Sequence, residues 1–218
     1  MIRALFFDLD GTLIDLRGPW LRCVEGFMMS RLRVFSPGTR GRLLRDLRNE
    51  GYDGRFLERR LVARIISDTH PDVGLSQLAI EAELAARLPG CIEPDPAVVR
   101  MLGELSGRYK TAIVSNGSRR VQRAKIERAG LKGAVGRVLI SGELGVRKPD
   151  SAIFRLALDW AGVAAGEALI VGNHPYEDIR GGQRAGLWTC AVGAGYQERW
   201  PQPDFRIDRI LDLPGVLR

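Results

Sequence analysis

Short apolar runs alternate with amphipathic segments along most of the chain. Within each run the apolar residues are nearly continuous, and β-branched or aromatic side chains are frequent. This pattern is typical of strands that are covered on both faces of a parallel sheet. Five runs show it: ALFFD, KTAIVSN, RVLIS, ALIVGN and WTCAV. We therefore predict a parallel sheet that contains these five strands.

Segments with helical periodicity lie between the runs. The segment DPAVVRMLGELSGR begins with Asp95 as a candidate N-cap and has Pro96 in its first turn, which favours a helix start there. In the later segment KPDSAIFRLALDWAG, the residues predicted to form the buried face are Ile153, Leu156, Ala157 and Trp160. A strand followed by a helix, repeated along the chain, predicts an α/β fold with a doubly wound, Rossmann-like parallel sheet.

The alternation is interrupted once, from about residue 16 to about residue 89, where no strand-like run occurs. Proline, glycine or THPD breaks separate four helical stretches: WLRCVEGFMMSRLRVF, RGRLLRDLRNEG, GRFLERRLVARIIS and LSQLAIEAELAARL. We predict that residues 1–15 and 90–218 form the α/β core domain and that residues 16–89 form an inserted all-helical domain. Trp20 and Tyr52 are predicted to belong to the core of this insert.

Composition and charge narrow the functional classes. A chain of 218 residues with 45% hydrophobic content is large enough for a substantial core, which excludes a disordered or fibrous protein. The formal net charge is +7, but the 33 basic residues are spread along the chain without a basic block. We therefore predict a solvated basic surface and no nucleic-acid partner.

Cysteine usage and hydropathy indicate the compartment. Cys23, Cys91 and Cys190 are far apart and form no CxxC or metal-type spacing, which is typical of buried thiols in a reducing compartment. The start MIRALFF has too short an apolar run for a signal peptide, and no stretch approaches the length of a membrane span. We expect a cytoplasmic protein without a membrane partner, as a monomer or a homodimer.

Three of the predicted strands end in polar residues. Ligands of a parallel α/β sheet bind outside the carboxyl ends of its strands, so we expect these side chains to converge. The converging residues are Asp8 with Asp10, Ser115 with Asn116, and Asn173 with Asp178. Two acids one residue apart repel each other unless a cation or a lysine lies between them, and oxygen ligands favour a hard cation such as Mg²⁺.

The remaining candidates suit a phosphate group. Ser115, Asn116 and the flexible Gly117 offer a hydroxyl, an amide and backbone N–H groups at the start of a helix, where anions bind readily. Lys148, just beyond the RVLIS run, supplies a positive charge for the same group. Carboxylates, Mg²⁺, a hydroxyl and a lysine around a phosphate indicate phosphoryl transfer.

These residues lie in four motifs that resemble a known family. DLDGT, VSNG, RKPD and VGNHPYEDI occur in the order found in the haloacid dehalogenase-like superfamily of phosphohydrolases, each on the expected element. The core resemblance covers roughly residues 1–15 and 90–218. The helical insert lies where this family has its first type of cap domain, which implies that the insert sets substrate specificity.

The resemblance also implies a role for each motif residue. Asp8 would be the nucleophile that forms an aspartyl-phosphate, and Asp10 the general acid and base. The phosphate-binding residues would be Gly11, Thr12, Ser115, Asn116 and Lys148. The Mg²⁺ ligands would be Asp8, Asp10 through its backbone carbonyl, Asp178 and Asn173.

The fourth motif departs from the common pattern of the family, which has an acid after the glycine. Here Gly172 is followed by Asn173, so one negative charge is missing and Asp178 becomes the main acidic ligand from this loop. We expect Mg²⁺ to be retained with lower affinity. His174 and Glu177 are expected to shape the loop, since histidine is a poor ligand for a hard cation.

The expected activity is Mg²⁺-dependent hydrolysis of a small phosphomonoester, such as a nucleotide, a sugar phosphate or phosphoglycolate. Two alternatives share these motifs: a phosphosugar mutase, and a weakly active or non-catalytic phosphate-binding protein, which Asn173 leaves open. Carbon–halogen hydrolysis by the same family is disfavoured, because members of that type lack the second acid and this chain has Asp10.

Overall fold

The computed structural model describes residues 1–31, 38, 41, 42, 45, 59–194 and 196–217. By its internal contacts the chain divides into two compact units. One unit consists of Met1–Ile14 and Pro94–Arg218, and the other consists of Asp15–Glu93. The sequence prediction set its boundaries after residue 15 and before residue 90, and its assignment of the two parts to a core and a cap stays a prediction.

The unit made of two chain segments contains a six-stranded sheet in which all neighbouring strands are parallel. The strands are β1 (Ala4–Phe7), β2 (Lys110–Ser115), β3 (Arg137–Ile140), β4 (Ala168–Gly172), β5 (Trp188–Val192) and β6 (Phe205–Ile207). Their order across the sheet is β3-β2-β1-β4-β5-β6. The predicted fold class, a doubly wound parallel α/β sheet, is confirmed, and all five predicted runs form strands.

Helices connect the strands and also build the second unit. In chain order they are α1 (Arg17–Met29), α2 (Arg59–Thr69), α3 (Gln77–Arg87), α4 (Pro96–Ser106), α5 (Arg119–Arg128), α6 (Ser141–Leu144), α7 (Ser151–Ala161), α8 (Gly181–Arg184) and α9 (Leu213–Val216). A π-helical turn spans Pro175–Arg180, and 3-10 turns span Pro71–Val73, Leu88–Cys91, Ala165–Glu167 and Ile210–Asp212. Within the described ranges, no helix has both the length and the apolar character needed to cross a membrane.

Strand β1 lies in the interior of the sheet. It pairs with β2 on one side and β4 on the other, so that Phe7 is opposite both Ile113 and Val171. All four residues of β1 are buried, which is the environment that a continuous apolar run favours. The residues that follow β1 therefore emerge between β2 and β4 at the carboxyl edge of the sheet.

Helix α4 begins as predicted, and of the predicted buried face of α7, Ile153 and Ala157 are buried and Trp160 is partly buried. The Asp95 carboxylate accepts hydrogen bonds from the backbone N–H groups of Ala97 and Val98 at 2.9 and 3.4 Å. In α7 the prediction was wrong for Leu156, which is 40% exposed. The buried residues of α7 are Ile153, Phe154, Ala157, Leu158 and Ala161. Because α7 carries two adjacent apolar stripes, periodicity alone does not decide which stripe faces the sheet.

Strand β6 was not predicted. It is a three-residue strand at the edge of the sheet, and only Ile207 is buried. A strand this short and this exposed has no continuous apolar run to reveal it. Asp204, directly before β6, links this strand to β5. Its Oδ2 accepts hydrogen bonds from the backbone N–H and the hydroxyl of Thr189 at 2.8 and 2.7 Å.

The described residues of the unit Asp15–Glu93 contain only helical elements. Its buried apolar side chains include Trp20, Cys23, Val24, Phe27, Met28, Ile80 and Leu84. Beside them, Glu83 forms ion pairs with Arg31 and Arg87. The burial of Trp20 agrees with its predicted place in this core. Tyr52 and most of the stretch RGRLLRDLRNEG lie outside the described residues, so the all-helical insert as a whole stays a prediction.

Candidate active site

The loop after β1 turns sharply and carries two carboxylates. Asp8 still belongs to the strand ladder, since its N–H donates to the carbonyl of Val171 at 2.9 Å. Gly11 has a φ of 82°, in the left-handed region that favours glycine. Its N–H donates to the carbonyl of Ile14 at 2.8 Å. This turn fixes the backbone from which the Asp8 and Asp10 side chains project.

Lys148 joins two carboxylates. Its Nζ lies 2.7 Å from Asp8 Oδ1 and 2.6 Å from Asp178 Oδ1. The lysine side chain is only 1% exposed, so its charge requires anionic partners. Asn116 holds the lysine backbone, because its Nδ2 donates to the Lys148 carbonyl and its Oδ1 accepts from the Lys148 N–H, each at 2.9 Å. The Asn116 amide, predicted to bind phosphate, is thus used to place Lys148.

One ammonium here faces two buried carboxylates. Burial raises the pKa of Asp8 from its ordinary 3.8 to about 7, while the Lys148 charge opposes this rise and the Asp178 charge adds to it. Burial by itself lowers the pKa of Lys148, but the charges of Asp178 and Asp8 outweigh it and hold that pKa above its usual range. When all three groups are ionised, negative charge is in excess, and a cation or a proton on Asp8 balances it.

Asp178 reaches Lys148 from the π-helical turn after β4. Gly172 permits this approach, because a Cβ at that position would lie 2.3 Å from the Asp178 carboxyl carbon. The second oxygen of Asp178 accepts a hydrogen bond from the His174 N–H at 2.9 Å. His174 also caps the turn, since its Nδ1 accepts from the N–H groups of Tyr176 and Glu177 at 3.2 and 3.1 Å. The loop-shaping role expected of His174 agrees with these bonds.

Thr12 links Asp8 to Asn173. Its hydroxyl lies 3.3 Å from Asp8 Oδ2 and 3.5 Å from Asn173 Oδ1. Together with Asp178, these residues offer two carboxylates and an amide oxygen, a donor set that suits a hard cation such as Mg²⁺. Across the described part of the chain, no three His, Cys, Asp or Glu side chains are grouped for a metal ion. The charged members of this donor set are two carboxylates, Asp8 and Asp178, and Mg²⁺ binding by these residues stays a prediction.

A second lysine holds the Asp10 carboxylate. Lys125 Nζ lies 2.9 Å from Asp10 Oδ1 and 2.7 Å from Oδ2, and Gln122 Nε2 donates to Oδ2 at 3.0 Å. Neither Lys125 nor Gln122 was among the predicted site residues. The available signal was their place on α5, where a glutamine and a lysine share the buried face with Val121 and Ile126.

Ser115, at the end of β2, also contacts Gln122. The serine Oγ accepts a hydrogen bond from Gln122 Nε2 at 2.6 Å. A hydroxyl that accepts one hydrogen bond can still donate its own hydrogen, which is what binding a phosphate oxygen would require. The Gly117 N–H, predicted to face a phosphate, instead donates to Ser141 Oγ at 3.0 Å. Ser141 is a further residue that the sequence prediction missed.

The predicted site residues, together with Lys125 and Gln122, thus fall into two groups. The Lys148 cluster consists of Lys148, Asp8, Asp178, Thr12 and Asn173, and the Lys125 cluster consists of Lys125, Asp10, Gln122 and Ser115. Gly11 and Asn116 support the backbone of these residues. The arrangement presents two buried carboxylates, Asp8 and Asp178, beside the Lys148 ammonium and a third carboxylate, Asp10, beside Lys125, while the chemical roles of these residues stay predictions.

Comparison with known proteins identifies relatives of this chain. The model of a family described as haloacid dehalogenase-like hydrolase matches residues 2–186. A glyceraldehyde 3-phosphate phosphatase from Methanopyrus kandleri is 31% identical in an alignment that covers 100% of this chain and 98% of that protein. A phosphoserine phosphatase from Thermus thermophilus is 43% identical over 104 residues, which are 47% of this chain and 42% of that protein. The match therefore spans less than half of the length of the Thermus relative.

A solved structure has the same fold over the whole chain. The HAD-hydrolase YfnB from Bacillus subtilis, in a crystal form bound to magnesium, aligns with 100% of this chain and 99% of its own chain, with a TM-score of 0.79. The two sequences are 20% identical in this alignment. At this identity the likeness concerns the arrangement of the elements.

Proposed function

This chain belongs to the haloacid dehalogenase-like hydrolases, and we propose that it is a phosphatase that hydrolyses a small phosphomonoester with Mg²⁺ as cofactor. The observation that carries the proposal is the buried Asp8 carboxylate, which Lys148 holds at 2.7 Å directly after the interior strand β1. The relatives named as phosphatases support the predicted enzyme class, a phosphoric monoester hydrolase.

In the first step of the proposed reaction, Asp8 attacks the phosphorus atom and the bond to the leaving alkoxide breaks, which gives an aspartyl-phosphate. Lys148 occupies Asp8 Oδ1, so Oδ2, which accepts from Thr12 at 3.3 Å, is the attacking atom. The Lys148 ammonium and the Ser115 hydroxyl stabilise the charge that spreads over the phosphoryl oxygens in the transition state.

Asp10 moves the protons in both steps. It donates a proton to the departing alkoxide and then, as a carboxylate, takes a proton from the water that hydrolyses the aspartyl-phosphate. Losing the first proton creates the base that the second step needs, so one side chain serves both. Its bonds to Lys125 rather than Lys148 keep Asp10 separate from the nucleophile.

The proposed Mg²⁺ ligands are Asp8, Asp178, Asn173 and the backbone carbonyl of Asp10. When bound, the ion supplies positive charge that stabilises the phosphoryl oxygens. The support for this assignment is the oxygen-only donor set and the shared contact of Thr12 with Asp8 and Asn173.

We also propose that the enzyme works in the cytoplasm. The three cysteines are not in disulfides, and burial raises the pKa of the Cys23 and Cys190 thiols to about 12. Thiols of this kind are stable in a reducing compartment.

A substrate panel tests the proposed function. Purified protein is assayed with p-nitrophenyl phosphate and with nucleotides, sugar phosphates, phosphoserine and glyceraldehyde 3-phosphate, in Mg²⁺ and in EDTA. We expect Mg²⁺-dependent phosphate release with at least one ester, and a loss of about 10³-fold or more in the Asp8→Asn variant, which lacks the nucleophile. Asp159→Asn, the same change at an exposed position on α7, is the matched control and should retain full activity.

Each other outcome has a definite meaning. Turnover that survives Asp8→Asn contradicts the proposed mechanism. Absence of phosphate release from every ester favours a non-catalytic phosphate-binding protein, the alternative that Asn173 motivates. Conversion of one sugar phosphate into its isomer, without net phosphate release, identifies a mutase instead.

A further inference from the structure

Helix α5 buries a lysine against the base of the site. The Lys125 side chain is 1% exposed, although α5 is otherwise rich in solvated arginines. Burying an ammonium is costly unless it is paired with an anion. Its partner is Asp10, and both carboxylate oxygens lie within 2.9 Å of Nζ. The Lys125 ammonium is therefore buried in the core of this unit with the Asp10 carboxylate as its counter-charge.

Gln122 adds a second restraint one turn earlier on α5. Its Nε2 donates one hydrogen to Asp10 Oδ2 at 3.0 Å and the other to Ser115 Oγ at 2.6 Å. Gln122 is itself 2% exposed. Its position is closely confined, because a Cβ on Gly117 would lie 2.8 Å from Gln122 Cγ. The same amide thus ties the Asp10 carboxylate to the end of β2.

The two lysines separate the two acids of the DLDGT motif. Lys148 binds Asp8 and Asp178, whereas Lys125 binds Asp10, so each acid has its own counter-charge from a different element. The two ammonium groups offset part of the repulsion between Asp8 and Asp10, although the Asp10 charge still contributes to the raised pKa of Asp8. The orientation of the Asp10 carboxylate is consequently set by α5 rather than by the loop that carries it.

We propose that Lys125 and Gln122 are positioning residues that hold the Asp10 carboxylate for proton transfer, with Gln122 aligning it to Ser115. Neither residue touches the substrate in this scheme. The inference rests on the proposed function, in which Asp10 is the general acid and base. A misplaced Asp10 transfers protons poorly, so the loss should appear in the steps that need a proton and not in phosphate binding.

Leaving-group dependence separates positioning from a purely structural role. Nitrophenolate leaves readily without a proton, whereas an alkoxide needs one from Asp10. For Lys125→Met, which keeps the apolar stem but removes the ammonium, we expect kcat/KM for the alkyl phosphate that the wild type hydrolyses fastest to fall about 10- to 100-fold. The value for p-nitrophenyl phosphate should fall less than about 3-fold, because kcat/KM ends at the departure of the first product.

The second step gives an independent readout. Since Asp10 also activates water, Lys125→Met should slow hydrolysis of the aspartyl-phosphate and so give a pre-steady-state burst of nitrophenolate that is larger, relative to the steady-state rate, than that of the wild type. Lys132→Met makes the same change at a side chain that is 78% exposed and should match the wild type in every assay.

The outcomes distinguish this inference from the function on which it rests. A wild-type protein without turnover overturns both. An active wild type with equal losses for the two substrates in Lys125→Met, or with no loss, overturns the positioning role alone. If Lys125→Met does not fold, Gln122→Leu is measured in its place. It should shift the alkyl-to-aryl ratio in the same direction by a smaller factor, and an unchanged ratio contradicts the inference.

Discussion

Asn173 follows Gly172 at the position where the resemblance to the family predicts an acid. Its amide oxygen shares the Thr12 hydroxyl with Asp8, within 3.5 Å. We predict that Asn173→Asp tightens Mg²⁺ by about 10-fold, since an added charge at ligand distance is worth on the order of 1 kcal/mol or more. The measurement is the Mg²⁺ dependence of activity together with calorimetric titration of Mg²⁺.

A charge added away from the site is the control for Asn173→Asp. Gln183→Glu places the same charge on an exposed position of α8 and should leave the Mg²⁺ titration unchanged. If Asn173→Asp also leaves the titration unchanged, residue 173 lies outside the coordination sphere.

Asp8 makes stability depend on pH. Because burial raises its pKa in the folded state from 3.8 to about 7, folding favours the protonated form. The contribution of Asp8 to the free energy of unfolding is largest below about pH 4 and is lost as the pH rises through about 7. Asp8→Asn lacks this titration. Without metal, its free energy of unfolding relative to that of the wild type should therefore rise by roughly 2 kcal/mol between pH 5 and pH 8.

Thermal or urea unfolding in EDTA across that pH range measures the effect of Asp8. The quantity to compare is the difference in the free energy of unfolding between the two proteins, because groups remote from Asp8 titrate equally in both. A difference that stays constant from pH 5 to pH 8 would show that Asp8 is already ionised in the folded protein.

At the level of elements, α7 offers a matched pair of leucines. Leu158 is 9% exposed and packs in the core beside the sheet, whereas Leu156 is 40% exposed. We predict that Leu158→Ala lowers the free energy of unfolding by about 2–4 kcal/mol and that Leu156→Ala lowers it by less than about 1 kcal/mol. Since both changes have the same helix propensity, urea unfolding compares burial alone.

The reverse ranking would mean that α7 is rotated and that Leu156 faces the sheet. This pair thus checks the one helix face for which the sequence prediction and the structure disagree.

An element can be predicted from the sequence when its environment imposes a hydropathy pattern on its residues. Interior strands such as β1 and β4 are predictable because burial on both faces demands an uninterrupted apolar run. The edge strand β6 is held by pairing and by Asp204, and neither leaves a hydropathy pattern. Lys125 was missed for a related reason: a buried lysine looks like a surface residue until its partner, far away in sequence, is known.

For the whole molecule, apolar runs that alternate with helical segments predicted the fold, the order of four motifs predicted the family, and both are confirmed. Parallel strands bring their carboxyl ends to one edge of the sheet, so the strand assignment already placed the polar strand ends together. The side-chain partners inside the site were harder to predict. Asn116 bonds to the backbone of Lys148 and Gly117 to Ser141, because loops satisfy their own polar groups before they meet a ligand.

The interior position of β1 has a consequence for how the enzyme is made. Ala4 pairs with Lys110 and with Ala168, so β1 is synthesised long before the two strands that flank it leave the ribosome. Such distant pairings fold slowly, and an unpaired apolar strand invites aggregation or chaperone binding in the interval. The nascent chain therefore carries Asp8, the proposed nucleophile, before β4 has been made and can dock beside β1.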